Sequence, residues 1–176
     1  FQQVSFSTNS FHSRTQGVDA VLTVGMNMLG GRGTFGVNAN YTDTKVTRAS
    51  PVVAADRQRL LDLEGFVPKW KGNASFVYEG DRIGVTARAN YYGKWTDYGS
   101  TPAADQTGGA EVLVDLELSY KLTSTFRLAV GAENLFNNYP DREIRQSQIA
   151  NGIQYLRFAP TGFNGGFWYV RGTAKF

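Results

Sequence analysis

The chain has 176 residues, of which 41% are hydrophobic and 19% charged, with no cysteine and a formal net charge of +3. The lack of cysteine excludes a disulfide scaffold, a cysteine-ligated metal and a cysteine nucleophile, and the mild positive charge gives no reason to expect nucleic acid. The apolar runs are far too short for a membrane-spanning helix, which needs about 20 apolar residues. Because the sequence starts without Met and within a strand-like stretch, we expect it to be a piece of a longer protein.

Alternation of apolar and polar residues predicts antiparallel β-strands along most of the chain. In Ala110–Leu122, for example, apolar residues alternate with Glu111, Asp115, Glu117 and Lys121. The same pattern predicts strands at Val18–Met28, Phe35–Tyr41, Trp70–Tyr78, Ile83–Trp95, Phe126–Ala132 and Trp168–Phe176, with Val4–Ser7 as the end of an eighth.

The connections between these strands alternate in length. Tight turns are predicted at Gly30–Gly33, Glu79–Asp81 and Leu122–Ser124, and long loops at Thr47–Pro68, Thr96–Gly109 and Asn137–Gly165. Short turns at one end and long loops at the other are typical of outer-membrane barrels, with short periplasmic turns and long extracellular loops. A soluble β-sandwich remains open as an alternative, because immunoglobulin-type modules also cluster their loops.

Aromatic residues lie near the ends of the apolar faces. The span from Trp70 to Tyr78 is roughly 26 Å along a strand, or about 19 Å along the membrane normal at 45° tilt. That approaches the apolar band of about 25 Å between two aromatic girdles. We predict that the girdle residues are Trp70, Tyr78, Tyr91, Trp95, Tyr120, Phe126 and Trp168. Packing of these rings inside a soluble protein is the alternative.

The long loops hold one helix-like stretch and many polar side chains. We expect Ala54–Glu64 to form a short helix over the extracellular rim, with a plain loop as the alternative. Long loops are often functional, and arginine and amide donors suit carboxylate, hydroxamate or sugar oxygens equally well. An equally good interpretation is that the polar side chains of these loops only face solvent or contact lipopolysaccharide. The candidate ligand contacts in the last loop are Arg142, Arg145, Gln148, Tyr155 and Arg157.

Further candidate ligand contacts lie on the polar faces of the strands, at Arg88, Tyr92, Glu117 and Arg127. If Lys121 pairs with Thr125, Arg127 lies diagonal to Glu117 and within cross-strand reach. The simplest interpretation is a charge ladder that lines a polar barrel interior and contacts either a ligand or another domain.

Catalysis and metal binding have little support in the sequence. Gly31-x-Gly33-x-x-Gly36 formally matches a dinucleotide fingerprint, but a strand follows it where that site needs a helix. The single histidine, His12, is expected in a surface turn and cannot form a histidine cluster. We therefore predict no catalytic residue, no metal site, no cofactor and no enzymatic activity.

Three segments resemble the TonB-dependent outer-membrane receptors. Val130–Tyr139 (VGAENLFNNY) is close to a very common segment of that family, and this similarity is quite specific. Ser13–Asp19 (SRTQGVD) resembles the start of a late barrel strand, and Gly162–Phe176 resembles the last strand with its terminal Phe. Val67–Trp70 is similar to another late-barrel feature. The segments occur in the order that the family requires.

The resemblance implies that residues 1–176 are the carboxyl-terminal part of the barrel, about seven or eight of about 22 strands, without the plug domain. It implies TonB-coupled import of a ferric siderophore, haem, cobalamin or oligosaccharide across a bacterial outer membrane. The implied partners are outer-membrane lipid and lipopolysaccharide, the protein's own plug, the TonB complex, the barrel-assembly machinery and a small-molecule substrate. Phe176 would be the assembly signal.

Two other classes remain open. One is a soluble or surface β-sandwich that binds carbohydrate, in which a second sheet would cover the apolar faces. The other is an autotransporter or simple porin barrel, which shares the strands and the terminal Phe but gives no reason for Asn134–Asn137.

Overall fold

A computed structural model describes residues 9–175 of the chain. Seven of its strands form one antiparallel sheet, and two short strands form a separate hairpin. The sheet strands are β1 (Phe11–Met28), β2 (Gly31–Ala49), β3 (Trp70–Glu79), β4 (Ile83–Tyr92), β7 (Glu111–Lys121), β8 (Phe126–Glu133) and β9 (Phe167–Ala174); the hairpin is β5 (Trp95–Asp97) with β6 (Gln106–Gly108). The helices are α1 (Pro51–Ala55), α2 (Arg57–Gly65), α3 (Gln146–Ala150) and a 3-10 turn at Pro102–Ala104.

The sheet is a meander in which each strand pairs with the next in the order β1-β2-β3-β4-β7-β8-β9. The pairing register brings the apolar residues of all strands onto one face. One row across the sheet runs Leu22–Val37–Ala74–Ala89–Val114. The adjacent row runs Val21–Asn38–Asn73–Asn90–Leu113 on the opposite face and is largely polar. The strand prediction and the two-faced pattern are therefore confirmed.

The apolar face has no second sheet packed against it within residues 9–175. Val18 and Leu118 stay 69% and 53% exposed on it, and the two-stranded β5–β6 sheet lies among the long loops. For the described part of the chain, the β-sandwich alternative is therefore wrong.

The predicted segregation of turns and loops is confirmed. Leu29 and Gly30 form the tight turn between β1 and β2 with φ values of 49° and 73°, the positive φ pair that a two-residue hairpin of matching twist requires. The turns after β3 and β7 lie at the same end of the sheet. The long loops of residues 50–69, 93–110 and 134–166 lie at the other end, and we call them together the loop layer.

Several predicted boundaries were wrong. β1 starts at Phe11, so His12 lies in a strand and not in a surface turn. β4 ends at Tyr92, so Trp95 belongs to the separate hairpin. The predicted helix is confirmed as α1 and α2, which Asp56 separates because its carboxylate caps α2 by accepting from Arg59 N. Val4–Ser7 and Phe176 lie outside the described residues.

No helix within residues 9–175 is both long enough and apolar enough to cross a membrane.

Candidate functional site: the loop layer and the inner face of the sheet

The β5–β6 hairpin forms the centre of the loop layer. Trp95 is only 2% exposed there, and Gly108 lies directly against its indole ring, where a Cβ atom would come within 2.5 Å of the ring carbon Cζ2. The prediction that Trp95 is a girdle residue is therefore wrong. Alternation continued past Tyr92 in the sequence, but the chain leaves the main sheet at Gly93 and Lys94.

A cluster of four buried or half-buried charges joins this hairpin to the last loop. Asp97 is fully buried and accepts from Arg145 Nη2 at 2.5 Å and from Arg157 Nη2 at 2.6 Å. Glu143 accepts from Arg145 Nε at 2.8 Å and Nη2 at 2.6 Å. Two carboxylates thus face two guanidinium groups, and the cluster carries no net charge.

Hydrogen bonds set the ionisation state of the cluster. The Arg145 guanidinium lowers the pKa of Glu143, and the backbone N–H groups of Arg145 and Ile144 lower it further against the effect of burial. The pKa of Arg145 is raised, chiefly by its hydrogen bond to Glu143. Glu143 and Arg145 are therefore both charged near neutral pH.

These ion pairs change the interpretation of Arg145 and Arg157. Both were predicted to offer free guanidinium groups to a ligand, but the structure directs them at Asp97 and Glu143. A ligand would have to compete with buried carboxylates for them. The sequence contains no local signal for this pairing, because Asp97 lies 48 and 60 residues from its partners.

The first long loop joins the same layer. Arg57, at the start of α2, donates to Asp105 through Nη1 at 2.9 Å and Nη2 at 2.6 Å, and to the Gly99 carbonyl at 2.8 Å. This pairing lowers the pKa of Asp105. Asp62 of α2 lies near the charges of Asp97 and Arg157, and desolvation raises the pKa of Asp62. The β5–β6 hairpin therefore ties the first and last long loops together.

Beside the ion cluster, the last loop forms an aromatic cavity of about 540 Å³. Tyr155 stacks on Tyr139 and on Phe163 with centroid distances of 5.6 and 5.9 Å. The rest of the lining comes from Gly152, Ile153, Gln154, Phe158 and the predicted ligand contact Arg157. The predicted ligand contact Tyr155 is thus in a cavity. Its bridge partner Arg142 is exposed, and Gln148 lies in the short helix α3.

The inner face of the sheet, opposite the apolar face, carries a second charged group. Glu117 of β7 accepts from Tyr169 Oη at 2.8 Å and from Arg171 Nη2 at 2.7 Å, both on β9. Its predicted partner Arg127 instead pairs with Glu79, with Nη1 3.1 Å from Oε1. Arg127 lies opposite Lys121 and not opposite Ser119, so the expected Glu117–Arg127 contact is wrong.

The turn after β7 explains this error in register. Thr123 Oγ1 accepts from the backbone N–H groups of Thr125 and Phe126 at 3.2 and 3.0 Å, so Thr125 stays in the turn. The partner of Lys121 is therefore Arg127, two residues later than expected. A threonine at this place in a loop is a known signal for such a turn, so Thr123 could have predicted the turn from the sequence.

Arg88 also lies on the inner face, opposite Asp115 in the strand register. Both residues line a concave region of about 510 Å³ together with Glu117, Glu133 and Tyr169. Tyr92 lies two inner-face rows further towards the loop layer, next to Lys71 and Glu111. The structure therefore brings Arg88 and Glu117 together and leaves Arg127 at the turn end.

Asn134 has a structural role that the sequence did not reveal. Its backbone turns with a φ of 48°, its N–H donates to Asp115 Oδ1 at 3.0 Å, and its side chain exchanges hydrogen bonds of 2.8 and 2.9 Å with the Asn138 backbone. Asn134 thus ends β8 and starts the last long loop.

The remaining predicted girdle residues lie on the apolar face. Trp70 packs on Tyr41 with a centroid distance of 4.8 Å, near the loop layer. Tyr78 lies at the turn end and donates through its hydroxyl to the Leu29 carbonyl at 2.9 Å. The other four are Tyr91 and Trp168 towards the loop layer and Tyr120 and Phe126 towards the turns.

Within residues 9–175, no cluster of His, Asp or Glu has the arrangement of a metal site.

One family model and two solved structures are similar to the chain. A family model described as TonB dependent receptor-like, beta-barrel, matches residues 2–135. Two mutant structures of the ferric enterobactin receptor (PfeA) from Pseudomonas aeruginosa are similar to the chain, with 16% and 17% identity and TM-scores of 0.49 and 0.48. In each, the match covers 97% of this chain and 30% of that chain, so the chain spans about 30% of their length. No curated protein sequence matches the chain.

Proposed function

The chain belongs to the TonB-dependent receptor β-barrel family, and from this premise we propose that it is the carboxyl-terminal barrel wall of an importer in a bacterial outer membrane. The imported nutrient would be a ferric siderophore, haem, cobalamin or an oligosaccharide. We also propose that the chain has no enzymatic activity.

The two chemical faces of the sheet carry this proposal most strongly. One face exposes apolar residues with aromatic rings at both ends, as a lipid-facing barrel wall does. The other face is polar and holds the Glu117–Tyr169–Arg171 group. A seven-stranded sheet has two open edges, which are intolerable in lipid. Residues 1–176 therefore need the rest of a barrel around them.

The loop layer supplies the substrate-facing part of the proposal. Residues that extend from rigid scaffolds often bind ligands, and here ion pairs hold three long loops together. In the proposed mechanism the aromatic cavity, the exposed side chain of Arg142 and the half-buried side chain of Gln148 contact the substrate. The inner face, with Arg88, Tyr92, Glu117 and Arg127, contacts the plug or the substrate on its way, and TonB acts on the plug.

The apolar face supports two further proposed partners. Trp70, Tyr91 and Trp168 would lie at the extracellular membrane boundary, and Tyr78, Tyr120 and Phe126 at the periplasmic boundary, in contact with outer-membrane lipid. The terminal Phe176 would be presented to the barrel-assembly machinery.

Uptake by the full-length receptor tests the proposal. Cells that lack the receptor, cells that lack TonB and wild-type cells would each be given labelled ferric siderophores, haem, cobalamin and oligosaccharides. We expect one nutrient class whose uptake is lost in both mutants and returns with the full-length gene. Recovery of the protein in the soluble fraction, or uptake unaffected by both deletions, would overturn the proposal.

A further inference from the structure

The last long loop contains both Asn-Gly sequences of the chain, Asn151–Gly152 and Asn164–Gly165. Asparagine before glycine is chemically unstable, because glycine has no side chain to shield its backbone nitrogen or to restrict its backbone. Both asparagines are exposed, so water reaches both. The sequence alone therefore gives no reason for one of them to react before the other.

Hydrogen bonds hold the backbone of the first pair. The Gly152 nitrogen donates to the Ile149 carbonyl at 2.9 Å, and the next N–H group, that of Ile153, donates to the Gln148 carbonyl at 3.1 Å. These bonds close the end of α3, where Asn151 is the cap residue. Attack by the Gly152 nitrogen would first have to break its hydrogen bond.

The second pair lacks this protection. Among residues 9–175, the Gly165 nitrogen has no hydrogen-bond acceptor and the Asn164 amide has no hydrogen-bond partner. The first N–H group after Asn164 that donates is that of Gly166, which binds Asn137 Oδ1 at 2.8 Å. Asn164 also lies outside any helix or strand, just before β9. Neither the attacking nitrogen nor the amide that it attacks has a competing bond in this part of the chain.

We propose that Asn164 is a site of spontaneous deamidation in the folded protein. The Gly165 nitrogen attacks the side-chain carbon Cγ of Asn164, so an N–Cγ bond forms, the Cγ–Nδ2 bond breaks, and Nδ2 leaves as ammonia with the Gly165 proton. Water then opens the five-membered succinimide at either carbonyl and gives aspartate or isoaspartate. Neither step changes an oxidation state. The inference rests on this loop and not on the proposed import activity.

The isoaspartate product affects the aromatic cavity, because it inserts one more carbon into the main chain before Gly165. Gly165 has a φ of 65° and is packed so closely that a Cβ atom there would collide with the Tyr139 hydroxyl. The lengthened chain must therefore be accommodated on the other side, where Phe163 stacks on Tyr155 at 5.9 Å. Deamidation thus displaces Phe163 from this stack and adds a negative charge beside the cavity.

The test follows both sites in the full-length receptor purified in detergent. Native receptor and receptor unfolded in urea are kept in mildly alkaline buffer, and peptide mass mapping measures the conversion of amide to acid at Asn151 and Asn164. Enzymatic methylation identifies isoaspartate. Asn151 is an internal control, because it has the same dipeptide, lies in the same loop and is also exposed. The variants are Asn164→Gln and, as its matched control, Asn151→Gln.

In the native receptor we expect Asn164 to convert about fivefold faster than Asn151, because one net backbone hydrogen bond corresponds to about that factor. In urea the two rates should be equal. Equal native rates, or faster conversion of Asn151, would overturn the proposal. A fivefold difference that persists in urea would also overturn it, because the sequence and not the structure would then set the rates.

The variants test the consequence for the cavity. Aged wild-type receptor should exchange its amide hydrogens faster at residues 153–163 than fresh receptor, and aged Asn151→Gln should behave like aged wild type. Aged Asn164→Gln should exchange like fresh receptor, because attack on a glutamine carbonyl needs a less favourable six-membered ring. The same acceleration in aged Asn164→Gln would show that another change, and not deamidation of Asn164, loosens the cavity.

Discussion

Arg145 and Asp97 lie 48 residues apart in the sequence, yet Arg145 Nη2 approaches Asp97 Oδ2 to 2.5 Å. The Asp97 side chain is fully buried, and Arg145 is 14% exposed. Because Asp97 also binds Arg157, this one carboxylate joins the short β5–β6 hairpin to two points of the last loop. The loop layer thus combines buried charge pairs with a small apolar core of Val53, Trp95 and Leu156.

Replacing Asp97 with Asn should release the last loop while the barrel stays intact. Arg157 would lose its carboxylate partner, and breaking a buried pair costs about 3–5 kcal/mol. Hydrogen exchange of the full-length receptor should show faster exchange at residues 134–166 and unchanged exchange in β7 and β8. Asp105→Asn breaks a more exposed pair and should cost only about 1 kcal/mol. Equal protection in the wild type and Asp97→Asn would show that the cluster does not order the loops.

The ion pairs also predict that acid loosens the loop layer. Hydrogen bonds to arginine lower the pKa of Glu143 from its ordinary 4.5 and that of Asp105 from 3.8. A carboxylate whose pKa is lower in the folded than in the unfolded state stabilises the layer at pH values above its unfolded-state pKa. This stabilisation is lost as the pH falls through its folded-state pKa. Asp62 acts in the opposite direction, because its pKa is raised by desolvation and its protonation favours the folded layer.

We therefore expect protease cleavage of the long loops to accelerate as the pH falls below about 4.5, with at most a small slowing above that pH as Asp62 becomes protonated. Glu143→Gln should remove part of this pH dependence, because its titrating group is gone. Asp62→Asn serves as the control and should make the loops more resistant near neutral pH. Cleavage of the Asp62→Asn variant that slows below about pH 4.5 would contradict this assignment of signs.

The sheet could be predicted from the sequence much better than the site. Alternation and turn residues are local, so strands, faces and the positions of turns and long loops followed from them. The pairing of Asp97 with Arg157 and of Glu117 with Arg171 depends on contacts across 60 and 54 residues, which no local pattern records. The girdle prediction for Trp95 failed for a related reason. The alternation of apolar and polar residues does reach Trp95, but Trp95 belongs to the separate β5–β6 hairpin.

Gly131 should be intolerant of any side chain because Tyr169 occupies the space beside it. A Cβ atom at Gly131 would lie 2.5 Å from the Tyr169 hydroxyl, so Gly131→Val must displace the ring from Glu117. We expect a loss of about 1–3 kcal/mol in unfolding free energy, measured by urea titration of the full-length receptor in vesicles. The control is Gly172→Val, since nothing lies within 4 Å of a Cβ there. Similar losses for both variants would contradict this packing argument.

Deletion of Phe176 should lower the amount of receptor in the outer membrane without changing its nutrient specificity. The reason is its proposed recognition by the barrel-assembly machinery. Surface labelling of cells that express the full-length and the truncated receptor measures this effect. Phe176→Tyr, which keeps an aromatic ring, should insert normally. Unchanged surface levels after deletion would remove the proposed role.

Two leucines on the same strand give the sharpest test of which face meets lipid. Leu116 of β7 lies on the apolar face between Ala87 and Ala132, whereas Leu113 lies on the inner face opposite Asn90. An arginine near the bilayer midplane costs about 2–4 kcal/mol on the lipid face of a barrel, and inner positions tolerate it. Leu116→Arg should therefore destabilise the full-length receptor in vesicles by that amount, and Leu113→Arg by much less. If Leu113→Arg proved the more costly variant, the orientation of the sheet would have to be reversed, and both girdles would be excluded with it.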